Sequence, residues 1–201
     1  MVLDRRAVGP ALSFAVVAGS YGLIRSRAAE PMDRPARRLM ERGHGPRIDP
    51  MVAGLTDLGS IYGLGGIAVS LLLTGRRSAS RDVAAAGVFA WIAAQGIKPL
   101  LHRHRPYETG GARRLVAPPA GSSWPSGHAA VAASTAAVLA PRLSPAGRVA
   151  TVAGAALIGV SRLHVGVHHA TDVVAGLGVG SLSASAWRLL HGRWAARASA
   201  R

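Results

Sequence analysis

The sequence predicts an all-α protein: an integral membrane bundle of about six transmembrane helices with an active site at one membrane face. Three observations predict it. Of 201 residues, 49% are hydrophobic and only 16% charged, and the mean hydropathy is +0.26. Apolar segments near membrane-spanning length recur along the chain, and no strand-like alternation persists. The formal net charge of +15 is carried by arginines that mostly border those segments, as in a multispanning membrane protein.

The first apolar segment, Ala7–Ile24, follows a charged start that imitates a signal peptide, but further apolar segments come after it, so it reads as a retained span. Residues 25–50 are dense in charge of both signs. Leu39 and Met40 lie beside Arg37, Arg38, Glu41 and Arg42, which fits either a solvated loop or a short interfacial helix. Five more spans are expected at Met51–Leu73, Val83–Leu101, Gly127–Ala140, Ala146–Val160 and Ala170–Leu190. Several are rich in Ala and Gly, and two are short for a hydrocarbon core of ~30 Å. A soluble protein of buried helices is the alternative. Gly59/Gly63 and Gly176/Gly180 have the small-xxx-small spacing of helix contacts. The chain reads as one domain over residues 1–201, without repeats.

Composition narrows the partners. Basicity alone would suggest nucleic acid, but aromatic residues are few and none alternates with basic ones as stacking platforms would. No nucleic acid is therefore expected. There is no cysteine, so thiolate metal sites are excluded, and a single lysine, Lys98, stands against 23 arginines.

With six spans, the end of the third, the start of the fourth, the end of the fifth and the start of the sixth share one side. That side carries "KPLLHRHRP" (residues 98–106), "PSGH" (125–128) and "SRLHVGVHHATD" (161–172), making 98–172 the catalytic motif region. These residue types suit phosphoryl transfer. Lys98, Arg105 and Arg162 supply cationic heads, and arginine forks match phosphate oxygens two at a time. Ser126 and the N–H groups of Gly127 and His128 form a cradle at a helix N-terminus, where anions bind. His168 and Asp172 are four apart and share a face if the last helix begins there. The carboxylate then fixes the ring tautomer and frees the other nitrogen as a nucleophile. His128 can protonate the leaving oxygen.

Each residue also has a plainer role. Arg103, Arg105 and Arg162 could anchor span ends. His102, His104, His164 and His169 could be interfacial, and Asp172 could cap a helix. Jointly, however, Lys98-x6-Arg105-Pro106, Pro125-Ser126-Gly127-His128 and Ser161-Arg162-x5-His168-x3-Asp172 resemble the three-part signature of the type 2 phosphatidic acid phosphatase family. The resemblance implies His168 as nucleophile, Asp172 as its partner, and His128 as the acid. It implies Lys98, Arg105, Ser126, Gly127 and Arg162 as phosphate binders, no cofactor or metal, and a lipid phosphate or diphosphate as substrate.

Two rivals follow from the same residues. His164, His168 and Asp172 at successive fours could line one helix face as a metal-hydrolase ligand set, although no HExxH motif accompanies them. A non-catalytic lipid-phosphate carrier would keep the anion site, but the intact His128, His168 and Asp172 argue against it. The motifs grip phosphate and ignore the tail. Polyprenyl phosphates, phosphatidylglycerol phosphate and phosphatidic acid all fit, with a polyprenyl carrier favoured for a GC-rich bacterial chain. The short basic turn "GRRSASR" and the acid-free tail after Trp187 resist translocation. Both termini are therefore expected in the cytoplasm and the active site outside.

Overall fold

The computed structural model describes residues 5–198, so Met1–Asp4 and Ser199–Arg201 of the expected single domain lie outside the described residues. Those described residues form helices and connecting turns, without a strand. The helices are α1 (Arg5–Arg25), α2 (Glu30–Arg42), α3 (Ile48–Thr56), α4 (Ile61–Leu73), α5 (Arg77–Ile97), α6 (Gly127–Leu139), α7 (Pro145–His164) and α8 (Ala170–Ala198).

Their packing is that of a protein in lipid. The positions fully withdrawn from the surface are mostly small, among them Ala86, Ala90, Ala94, Ala129, Ala130 and Ala175. Large apolar side chains such as Leu12, Phe14, Leu73, Ile92 and Val149 point outward. Lipid tails are as apolar as leucine, so burying large side chains brings little there, and close backbone approach decides which faces meet. Helix α6 sits at the centre, against α5, α7 and α8, and α1 covers the outer side of α8. Gly176 and Gly180 make the central contact possible. A Cβ at Gly176 would lie 2.3 Å from the Ser126 carbonyl oxygen, and one at Gly180 would lie 2.1 Å from that of Ala130.

Among the described residues, four helical segments are long and apolar enough to cross a membrane: Val8–Arg25, Arg77–Leu100, Pro145–His164 and Ala170–His191. The other two expected spans differ in form. The second is broken between α3 and α4 by a bend of 68°. Ser60 is extended there and caps α4 by accepting from the Gly63 N–H at 3.0 Å, while its hydroxyl donates to the Asp57 carbonyl. Gly59 and Gly63 therefore flank a bend and do not share a helix face. The fourth, α6, has 13 residues, a length of about 20 Å, short of the ~30 Å core. It is enclosed by its neighbours, so its length is matched to the bundle interior and not to the lipid.

Between α1 and α3 the charged segment contains helix α2, with Glu30 paired to Arg34 and Arg37 on its exposed side. Met32 and Leu39 are exposed, while Asp33 is buried. The long connection from Leu101 to Ser126 is anchored by Trp124, which is buried against Tyr21 and donates its indole N–H to Ser20 of α1.

Candidate active site

The three polar motifs converge at one end of the bundle around a cavity of about 140 Å³, lined by Lys98, Arg105, Gly127, His128, Arg162 and His168 and bordered by Gly59, Ser60, Trp91 and Gln95. Local structure explains each placement. Pro99 turns the end of α5 into a short 3-10 turn, which leaves half-buried Lys98 at the rim, its ammonium donating to the Ser122 carbonyl at 2.5 Å. Arg105 is held by its backbone N–H, which donates to Glu108 at 2.7 Å. Its buried guanidinium donates to the Val167 carbonyl and to the carbonyls of Ala120, Gly121 and Ser122. Arg162, in the last turn of α7, donates to Thr56 at 2.9 Å. The Nε groups of both arginines are buried without a partner among the described residues. Two buried cationic donors left open beside one cavity are an arrangement that an anion completes.

Ser126 caps α6, accepting from the Ala129 N–H at 3.4 Å, and is fully buried. It stands behind the cavity wall and shapes the turn that presents Gly127 and His128. A Cβ added at Gly127 meets nothing within 4 Å, so the backbone there faces open space.

His168 lies just before α8 and is buried. Its Nδ1 is 3.6 Å from an Asp172 carboxylate oxygen, longer than a hydrogen bond, and has no closer partner among the described residues. Such contacts often tighten only when substrate binds. Burial, with the charges of Arg162 and Arg105 behind it, pushes the His168 imidazole down to about 3 against the pull of Asp172. Burial thus favours the neutral ring, the form in which a nitrogen lone pair is free.

Asp172 is fixed more firmly than its motif alone implies. It accepts from Ser123 at 2.5 Å, from the His169 N–H at 2.8 Å and from Arg103 at 2.5 Å. It thus caps the start of α8 while facing His168. Arg103, which reads as an ordinary flanking charge, also pairs with Asp33 of α2. Asp33 in turn accepts from the backbone N–H of Thr171 at 2.9 Å. Sequence reasoning misses Asp33, Arg103 and Ser123 because they are far from Asp172 in the chain and no local pattern marks them.

The metal set of the rival reading, His164, His168 and Asp172, is not assembled among the described residues. Gly166, at φ +75°, ends α7 and reverses the chain; a Cβ there would lie 2.2 Å from the Arg113 carbonyl oxygen. Helical spacing is thereby lost between 164 and 168. His164 is not interfacial either: it is buried and bonded to Asp49 at 3.0 Å. His102 and His104 are exposed.

Fold and cavity together define a helical membrane-bundle protein with a cationic polar pocket lined by two histidines. Residues 80–195 match the model of the PAP2 superfamily, and the chain belongs to that superfamily. No curated protein matches the sequence. Among solved structures, the chain is similar to the first transmembrane PAP2-type phosphatidylglycerolphosphate phosphatase from Bacillus subtilis. That similarity has a TM-score of 0.74 at 22% identity over 92% of this chain and 96% of the other. It is also similar to Aquifex aeolicus LpxE, with a TM-score of 0.69 at 24% identity over 77% of this chain and 93% of that one.

Proposed function

We propose that the protein is a membrane phosphatase that hydrolyses a lipid phosphate or diphosphate through a phosphohistidine. The observation that carries this reading is the pair of unpartnered, buried arginine Nε donors beside His168 at the polar cavity. The Nε2 lone pair of His168 forms a bond to phosphorus as the bond to the leaving oxygen breaks, and His128 gives that oxygen a proton. His128 then takes a proton from water, the resulting hydroxide attacks phosphorus, and the P–N bond breaks to release inorganic phosphate. Lys98, Arg105, Arg162 and the N–H groups of Gly127 and His128 hold the phosphoryl oxygens, and no step needs a metal.

The substrate head group reaches the cavity at the membrane face while its tail stays in lipid. Similarity to a phosphatidylglycerolphosphate phosphatase supports a lipid phosphate, and a polyprenyl carrier is the favoured member of that class. The cavity faces the extracytoplasmic side. Support comes from the opposite end of the bundle, where Arg81 and Arg142 meet at Asp82 close to the basic turn before α5.

Phosphate release from a panel of lipid phosphates by the purified protein in detergent tests the reading. Activity is expected without added metal and in the presence of chelator, with inhibition by vanadate. His168→Ala is expected to lower kcat by at least ~10³-fold. Near wild-type turnover in His168→Ala would falsify the mechanism. So would inactivation by chelator that zinc reverses while the protein stays folded throughout.

A further inference from the structure

At the end of α7, His44, Asp49 and His164, none of which lines the polar cavity, bring one ligand atom each to within 4.8 Å of one another. We propose that they bind a zinc-type divalent metal that ties the α2–α3 corner to the end of α7.

The corner is folded to supply two of the donors. Gly43 ends α2, and the Gly45 carbonyl accepts from the N–H groups of Ile48 and Asp49, so the chain closes on itself over five residues. His44 Nδ1 lies 3.1 Å from Asp49 Oδ1, and His164 Nε2 lies 3.0 Å from the same oxygen. Both imidazoles thus aim at one carboxylate oxygen, to which the Gly45 N–H also donates at 3.2 Å. Two histidines seeking only ion pairs would be better served by an oxygen each. Among the described residues the other oxygen faces Arg113, at 3.5 Å on a mostly exposed side chain.

The spacing fits a shared metal. Metal–ligand bonds of ~2.0 Å in a tetrahedron set neighbouring ligand atoms about 3.3 Å apart; both His–Asp distances lie within a few tenths of an ångström of that, and the two imidazole nitrogens, within 4.8 Å of each other, would close to the same spacing around the ion. Two imidazole nitrogens and a carboxylate suit zinc; magnesium and calcium prefer all-oxygen sets. A water would fill the fourth position, since the His44 and Asp49 side chains keep 16% and 12% of their exposure. Arg113 would orient the outer carboxylate oxygen from behind the metal's own ligands. His164 lies between Arg162 and His168, so the ion would brace the segment that carries both. This role is structural and separate from the proposed phosphoryl chemistry.

The test uses tag-free protein in detergent, stripped by chelator and desalted. Calorimetry is expected to show one Zn2+ bound per chain and no Mg2+ binding. Co2+ should give the visible absorption of a four-coordinate site. Zn2+ at a hundredfold excess over its Kd should raise the unfolding midpoint by about 5–10 °C. His44→Gln, at a half-buried corner position, should abolish the stoichiometric binding and the Co2+ spectrum while its metal-free midpoint stays near that of the parent. Absence of Zn2+ binding in the parent, or binding that His44→Gln leaves unchanged, overturns the proposal. None of these three readouts depends on turnover, so failure here is distinct from failure of the phosphatase reading.

Discussion

Asp172 has two duties, and Arg103 is what reconciles them. A carboxylate that caps a helix and accepts from Ser123 is already well supplied with donors, yet in the proposed mechanism it must also face His168 with enough charge to orient it. Arg103 is the counter-cation that holds this carboxylate in place, and it is itself held by Asp33 from a different helix. Asp33→Asn keeps an oxygen for the Thr171 N–H while removing the charge that positions Arg103. It is expected to lower kcat about tenfold or more and to leave vanadate inhibition unchanged, because Lys98, Arg105 and Arg162 are untouched. Arg103→Gln leaves two buried carboxylates short of a cation and should also destabilise by about 3–5 kcal/mol. Measuring kcat, the vanadate Ki and thermal stability on both variants separates positioning from folding; equal losses in kcat and vanadate affinity would refute the positioning role. Legibility at this scale follows chain distance. Lys98, Arg105, Gly127, His128, Arg162 and His168 are readable because each sits in a short motif, and all six line the cavity. Asp33 is not, because nothing separates it in sequence from Glu30 or Glu41, and its burial is decided by a fold 70 residues away.

Helix α6 presents its N-terminus to the cavity only because α8 lies close enough to hold it there. Gly176 and Gly180 set that separation, and their spacing is legible in the sequence. The bend between α3 and α4 is less so: the apolar run through residues 51–73 is interrupted only at Thr56–Ser60, and the break lies where Ser60 folds back on Asp57. The two glycines of α8 differ in what they touch. Gly176 meets the Ser126 carbonyl, at the cap that presents His128, whereas Gly180 meets Ala130 one turn deeper. Alanine at either position forces the helices apart, with an overpacking cost of about 1–3 kcal/mol. Gly176→Ala should therefore lose several-fold more activity than Gly180→Ala for a similar loss of thermal stability. Gly65→Ala, whose Cβ meets nothing within 4 Å, serves as the neutral control. If the two α8 variants lose activity strictly in proportion to stability, the spacing of the cap is not what α8 controls.

Across the whole molecule, charge is divided between the two ends in different ways. At the cavity end Lys98, Arg105 and Arg162 are arranged around the proposed phosphate position, so a cluster there carries no information about membrane orientation. Arg76, Arg77, Arg81, Arg142 and Arg148 do not line the cavity and fall in short connections: before or at the start of α5, and around the turn into α7. Asp82 offsets part of this charge, pairing with Arg81 and Arg142, but acidic residues count little in setting topology. Connections this short and basic favour the cytoplasmic side. In the proposed orientation the long segment from Leu101 to Ser126, which carries the exposed His102 and His104 and borders the cavity through Arg105, Pro119 and Ala120, lies outside. A fluorescent protein fused after Arg201 should accordingly be bright in cells, and an alkaline phosphatase fused at the same point inactive. The converse pattern, dark and active, would invert the molecule and present the cavity to lipid head groups of the cytoplasmic leaflet. Turnover of a lipid phosphate added outside intact cells gives an independent reading, because only an outward-facing cavity reaches it without the lipid crossing the bilayer.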